Sequence, residues 1–261
     1  MLNEFDLTGK RVLITGAGRG IGHGIALAMA EAGADVGVTS LGGDTAVKVA
    51  DEVKSLGRRG FGWAADATKV APMEALRDQA FEALGGIDIL VNCLGDAIRG
   101  TISEMPGSDG HALTESEWHH VIDINLTQAY VGCHVFGPHL LAKREAANVI
   151  NISSFAALRP GANMVAYAAG KTGLTRFTES LALEWAPQRV RVNAIAPGIF
   201  PDAYVMSDAE WHKRNTEVTG VPLSRVGHPR EVGLVAVFLA SEAAAYITGQ
   251  TIAIDGGRTL L

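Results

Sequence analysis

The chain has 261 residues, enough for one large α/β domain with a well-buried core. Hydrophobic residues make up 48% and charged residues 19%, which excludes a disordered chain. The net charge of −6 argues against a nucleic-acid surface or docking on an anionic membrane, since both need a basic patch. No apolar run approaches the ~18 residues a membrane helix needs. The first residues lack the cationic start and long apolar stretch of a signal peptide. Cys93 and Cys133 stand in no metal-ligand spacing and imply no disulfide framework, so a reducing, cytoplasmic compartment is expected.

In chain order, residues 11–15 read as a strand. A glycine turn follows with Gly16, Gly18, Gly20 and Gly22, and then a helix over 25–32. Strand, glycine turn and helix form the context in which backbone N–H groups cradle a phosphate. The spacing is not G-x-G-x-x-G, and a tight structural turn is the plainer alternative. Strands are predicted at 35–39, 60–64, 87–91, 148–152, 190–195 and 251–254. Helices are predicted at 45–56, 71–84, 164–186 and 231–240. A long helix at 115–142 should kink near Gly137 and Pro138. Seven strands alternating with helices predict a Rossmann-like, doubly wound parallel sheet with helices on both faces, as one domain over 1–261. Ligands bind such sheets outside the carboxyl ends of the strands. Gly16 to Gly22, Ser40, Asp66, Asn92 with Gly95, Ser154, and Pro197 with Gly198 all fall there.

Tyr167 and Lys171 lie four apart on the helix after strand five, hence on one face. A neighbouring ammonium should lower the phenol's pKa, and a hydroxyl from Ser154 should reach a substrate oxygen beside it. That describes a proton-transfer site for an alcohol or a carbonyl.

Taken together, Thr15, Gly16, Gly20, Ile21, Gly22, Asp66, Asn92, Gly95, Asn125, Ser154, Tyr167, Lys171, Pro197 and Gly198 resemble the short-chain dehydrogenase/reductase family over about residues 10–257. The resemblance implies an oxidoreductase passing a hydride between a nicotinamide cofactor and an alcohol or ketone. Tyr167 would be the general acid or base and Lys171 would lower its pKa and bind the ribose. Ser154 would position the substrate oxygen, and Asn125 would hold a water leading to Lys171. Asp66 with Ala67 would meet adenine, and Asn92 and Gly95 would support the adenosine ribose region. Pro197, Gly198 and Phe200 would border the carboxamide. As plainer alternatives, Asn125 is a helix-interior contact, Asp66 a helix cap, and Cys93 a packing residue rather than a reactive thiol.

NAD-selective relatives carry an acid where this chain has Ser40, followed by Leu41, and Arg19 stands in the glycine turn. NADP(H) is therefore expected ahead of NAD(H), unless Arg19 merely faces solvent. Three departures from the family pattern stand out: Cys93 and Leu94 within the Asn92–Gly95 stretch, Asp202 where many relatives have Thr, and an insertion at about 103–111. His111, His119 and His120 read as surface or loop histidines, and no metal is expected. Residues 200–226 would form a substrate lid. A homotetramer is expected, or a dimer. The alternatives are a 3-oxoacyl-carrier-protein reductase, a lyase or epimerase, and a non-catalytic dinucleotide-binding regulator.

Overall fold

The computed structural model describes residues 2–106, 110–143 and 147–261. Its strands are β1 (Arg11–Thr15), β2 (Asp35–Ser40), β3 (Gly60–Ala64), β4 (Ile89–Asn92), β5 (Ala147–Ile152), β6 (Val190–Pro197) and β7 (Thr251–Ile254). Its helices are α1 (Gly20–Glu31), α2 (Asp44–Ser55), α3 (Val70–Leu84), α4 (Glu115–Ile122), α5 (Gln128–Ala142), α6 (Val165–Trp185), α7 (Asp208–Thr216) and α8 (Pro229–Ala240). All seven strands are parallel, in the order β3-β2-β1-β4-β5-β6-β7.

Side chains alternate across each strand, so every buried strand feeds two cores. Val12, Ile14, Ile89, Val91, Ile150 and Ile195 join one face with Ile25, Met29 and Val232 of α1 and α8. Leu13, Leu90, Val149 and Val192 join the other with Met73, Leu76, Phe136 and Leu181 of α3, α5 and α6. Burial on both faces is why β1 and β4 read as nearly unbroken apolar runs. The strand order reverses between β1 and β4, whose last residues Thr15 and Asn92 lie side by side, with Asn151 of β5 next to them. This is the switch point at which α/β sheets open a crevice.

The long helix predicted over 115–142 breaks elsewhere than expected. Pro138 sits inside a continuous α5, and the interruption is a π-turn at Asp123–Thr127. Asn125 Nδ2 donates to the Val121 carbonyl at 2.8 Å, the acceptor an α-helical backbone bond at that point would use. Helix α7, inside the predicted lid, is an addition to the sequence reading. Its capping box, Ser207 with Glu210, was present in the sequence. Of the insertion at 103–111, residues 107–109 lie outside the described residues. Its base is pinched shut, with Thr101 N–H donating to His111 O at 2.9 Å and Leu113 N–H to Thr101 O at 2.9 Å.

Candidate active site

A crevice runs along the carboxyl edge of the sheet in two connected parts. One, of about 410 Å³, is lined by Gly16, Arg19, Gly20, Ile21, Gly22, Gly95, Ser154, Tyr167, Lys171, Pro197, Gly198 and Phe200. The other, of about 650 Å³, is lined by Gly18, Ser40, Leu41, Asp66 and Ala67. Both share Gly16, Arg19 and the stretch from Cys93 to Asp96. The structure thus brings together in one groove every candidate catalytic and cofactor-binding residue except Asn92 and Asn125.

The glycine turn is shaped by its backbone. Gly20 opens α1 with φ +55°, a conformation costly for any side chain. Arg19 caps the helix only with its backbone, leaving the first N–H groups of α1 without a side-chain partner. The Arg19 side chain is exposed. At the far end, Asp66 Oδ1 accepts from Thr68 N at 2.9 Å and Thr68 Oγ1 at 2.6 Å, so half of this carboxylate works as a local turn. Ser40 Oγ accepts from Gly43 N at 3.2 Å, and the nearest acid in sequence, Asp44, is an exposed residue of the first turn of α2.

At the other end, β5 stops at two buried serines with separate jobs. Ser153 Oγ donates to Lys171 O at 3.2 Å and meets Thr175 Oγ1, tying the strand to α6. Ser154 caps the short turn Phe155–Ala157 through Ala156 N and faces the phenol of Tyr167. Lys171 is 2% exposed, which its charge can tolerate only because two carbonyls receive it. Its Nζ donates to Ile152 O at 2.7 Å and Leu94 O at 3.1 Å. Burial pulls its pKa down to about 8.

The phenol's environment differs from the one expected. Burial raises the Tyr167 pKa above its ordinary value; the bond with Ser154 lowers it, and the charge of Asp96 raises it. The Lys171 ammonium is held by the Ile152 and Leu94 carbonyls. Cys93 matches the packing reading: burial pushes its thiol up to about 12, leaving little thiolate.

Two asparagines sit behind the groove. Asn92 is fully buried, its Nδ2 donating to Asn151 Oδ1 at 2.8 Å, and Asn151 in turn donates to Thr178 Oγ1 at 2.9 Å. Its side chain faces Gly132 in α5, away from the crevice. The Asn92 side chain therefore ties β4 to β5. Asn125 donates to Asp96 O at 2.7 Å and Val121 O, while its Oδ1 is buried without a hydrogen-bond partner. Gly95 is the close-approach point, since an added Cβ there would lie 2.8 Å from Lys171 Nζ and 3.1 Å from Asn125 Oδ1.

Sequence reasoning missed Asp96, Phe155 and Met164 on the active-site wall. Asp96 follows Gly95 directly and was findable there. Met164 is placed by the bridge of Gly100 to Met164, which nothing local announces. Of the histidines, His111 pairs with Glu117 at 2.9 Å, and no metal-binding cluster occurs among the described residues.

A family model described as Enoyl-(Acyl carrier protein) reductase matches residues 16–259. The chain is 37% identical over 258 residues to the 2-dehydro-3-deoxy-D-gluconate 5-dehydrogenase of Bacillus subtilis (strain 168), covering 98% of this chain and 96% of that protein. A short-chain type dehydrogenase/reductase from Mycobacterium marinum superposes with TM-score 0.87 at 32% identity, covering 100% of this chain and 99% of the other. A gluconate 5-dehydrogenase from Burkholderia cenocepacia J2315, solved with NADP and tartrate, superposes with TM-score 0.86 at 30% identity, again covering 100% and 99%. With the fold, the groove and these likenesses in agreement, the chain belongs to the short-chain dehydrogenase/reductase family and is a nicotinamide-dependent oxidoreductase of alcohols and ketones.

Proposed function

We propose that this chain is an NADP(H)-dependent alcohol dehydrogenase or ketone reductase with Tyr167 as its proton-transfer residue. One observation carries the reading: a single groove joins a glycine turn and uncapped helix start to a half-buried Tyr167 flanked by buried Ser154 and Lys171. The residues fit a dinucleotide. Ser40, Leu41, Asp66 and Ala67 would border its adenosine end, the start of α1 would meet its diphosphate, and Gly95, Pro197, Gly198 and Phe200 would border its nicotinamide end. When bound, the nicotinamide supplies the hydride chemistry.

The rest is done by the chain. A phenol whose pKa is raised by burial stays protonated at neutral pH, which suits Tyr167 to act as general acid toward a ketone oxygen. Ser154 orients that oxygen. Lys171 holds the two strand ends beside it and keeps a positive charge below about pH 8. Asn125 Oδ1 and Lys171 Nζ both flank Gly95, and a water between them would return the proton. NADP(H) is preferred to NAD(H) because no acid replaces Ser40 and Arg19 lines both halves of the groove. The working form is taken to be a cytoplasmic homotetramer, supported by the exposed apolar side chains of Leu183, Tyr246 and Leu260.

The test is a fluorescence titration of NADPH against NADH on wild type and Arg19→Ala, followed by ketone turnover in Tyr167→Phe. NADPH should bind more tightly, and Arg19→Ala should bring it toward NADH. Tyr167→Phe should cut turnover about 10²–10⁴-fold with cofactor binding retained. Tighter NADH binding, indifferent to Arg19, would reverse the cofactor preference. Similarity to the 3-oxoacyl-[acyl-carrier-protein] reductase FabG of Vibrio harveyi, 37% identical over 254 residues, favours a second reading, a carrier-protein-linked acyl reductase. Turnover of a 3-oxoacyl thioester with simple ketones left untouched would select it.

A further inference from the structure

After β6 the chain runs over the groove, and Asp202 lines the wall opposite Tyr167. Its Oδ1 accepts from Tyr204 N at 3.3 Å, while its Oδ2 is closed to solvent and has no hydrogen-bond partner. No cation among the described residues pairs with it: Arg225 is held by Glu231, and Arg230 by Glu31. The carboxylate lies over the first residue of α1, 3.9 Å from where a Cβ on Gly20 would stand. That helix start presents free N–H groups and the positive end of the helix dipole, the place in this fold where an anion gains most. A buried, unpaired carboxylate oxygen beside it is costly unless the helix start attracts it.

The same segment is fastened one turn further along α1. The Tyr204 ring lies tilted against the ring of His23, centroids 4.0 Å apart, and meets His228 edge-on. His23 is itself buried and held through Nε2 by Glu52 at 2.9 Å. Residues 201–204 thus form a strap over the start of α1, with an acid at its centre.

We propose that Asp202 sets this enzyme's cofactor affinity. Its carboxylate competes with the cofactor's diphosphate for the start of α1, so that binding displaces Asp202 and loosens Tyr204 from His23. The inference rests on the dinucleotide reading above. Two anions cannot share one helix start without strong repulsion, so part of the cofactor's binding energy goes into moving the strap.

The experiment is calorimetric titration of the full chain with NADPH and, separately, with inorganic pyrophosphate, on wild type, Asp202→Asn and Asp202→Thr. Near-UV circular dichroism checks that each variant is folded. Both variants should bind both ligands roughly tenfold more tightly than wild type. Hydrogen exchange over residues 199–206 of wild type should speed up when NADPH is added. A merely structural role for Asp202 would weaken binding, not tighten it. Unchanged or weaker binding in both variants would overturn the proposal and leave the dinucleotide reading standing. Pyrophosphate binding that tightens in both variants, with no dinucleotide bound by any form, would support the competition and overturn the dinucleotide reading instead.

Discussion

Lys171 shows how one residue's surroundings decide its chemistry. Four positions from Tyr167 on α6, it shares a face with the phenol, yet its ammonium ends on the Ile152 and Leu94 carbonyls. Burial lowers its pKa from 10.5 to about 8. Between those values the unfolded chain binds the proton and the folded chain does not. The burial penalty is therefore full below about pH 8 and is relieved as pH rises toward 10.5. The urea midpoint of wild type should accordingly rise from pH 8 to 10 relative to that of Lys171→Met, which has nothing to titrate there. Parallel pH profiles for the two proteins would show that the lysine is not held as described.

Among elements, the crossing of α1 and α8 is a close fit that depends on two glycines. An added Cβ on Gly233 would lie 2.5 Å from Gly24 O and 2.7 Å from the Ala28 side chain; one on Gly24 would lie 2.5 Å from the Pro229 backbone. Backbone cannot retreat as a flexible side chain can. Gly233→Ala should therefore cost about 1–3 kcal/mol in urea unfolding. Gly161→Ala, at a position with nothing within 4 Å, should stay within about 0.5 kcal/mol of wild type. Equal stabilities would mean that the helices cross further apart. The π-turn is the other element that matters, because it turns the side chain of Asn125 back onto the Val121 and Asp96 carbonyls.

At the scale of the whole molecule the two edges of the sheet divide the work. The carboxyl edge holds the groove, and the amino edge holds ion pairs. At the latter, Asp35 meets Arg58 and Arg59, and Asp88 accepts from Arg11 N and Nε at 2.8 Å and from Lys143. Burial alone would raise the Asp88 carboxyl, but the bonds from Arg11 and Lys143 outweigh it and hold the acid well below the usual carboxylate range. A depressed folded pKa means stability that is present above the unfolded value of 3.8 and lost as pH falls through it and below. Asp88→Asn should cost about 2 kcal/mol at pH 7 and show a shallower acid limb than wild type. An unchanged acid limb would count against this network.

What the sequence determined by itself was whatever is local or periodic. Alternating apolar runs and glycine stops marked seven strands in a doubly wound order. The spacing from Ser154 through Tyr167 to Lys171, together with the glycine turn, pointed to the groove. The tertiary structure alone decided where side chains end. The Asn92 side chain turns to Asn151 on the neighbouring strand end and to Cys133 on α5. Lys171 finds carbonyls 77 and 19 residues away in the chain. Asp202 comes to lie over Gly20 through packing of the strap on α1. Such placements depend on contacts between distant segments, which no spacing along the chain records, and they set the charge and hydrogen bonding that the site's chemistry uses.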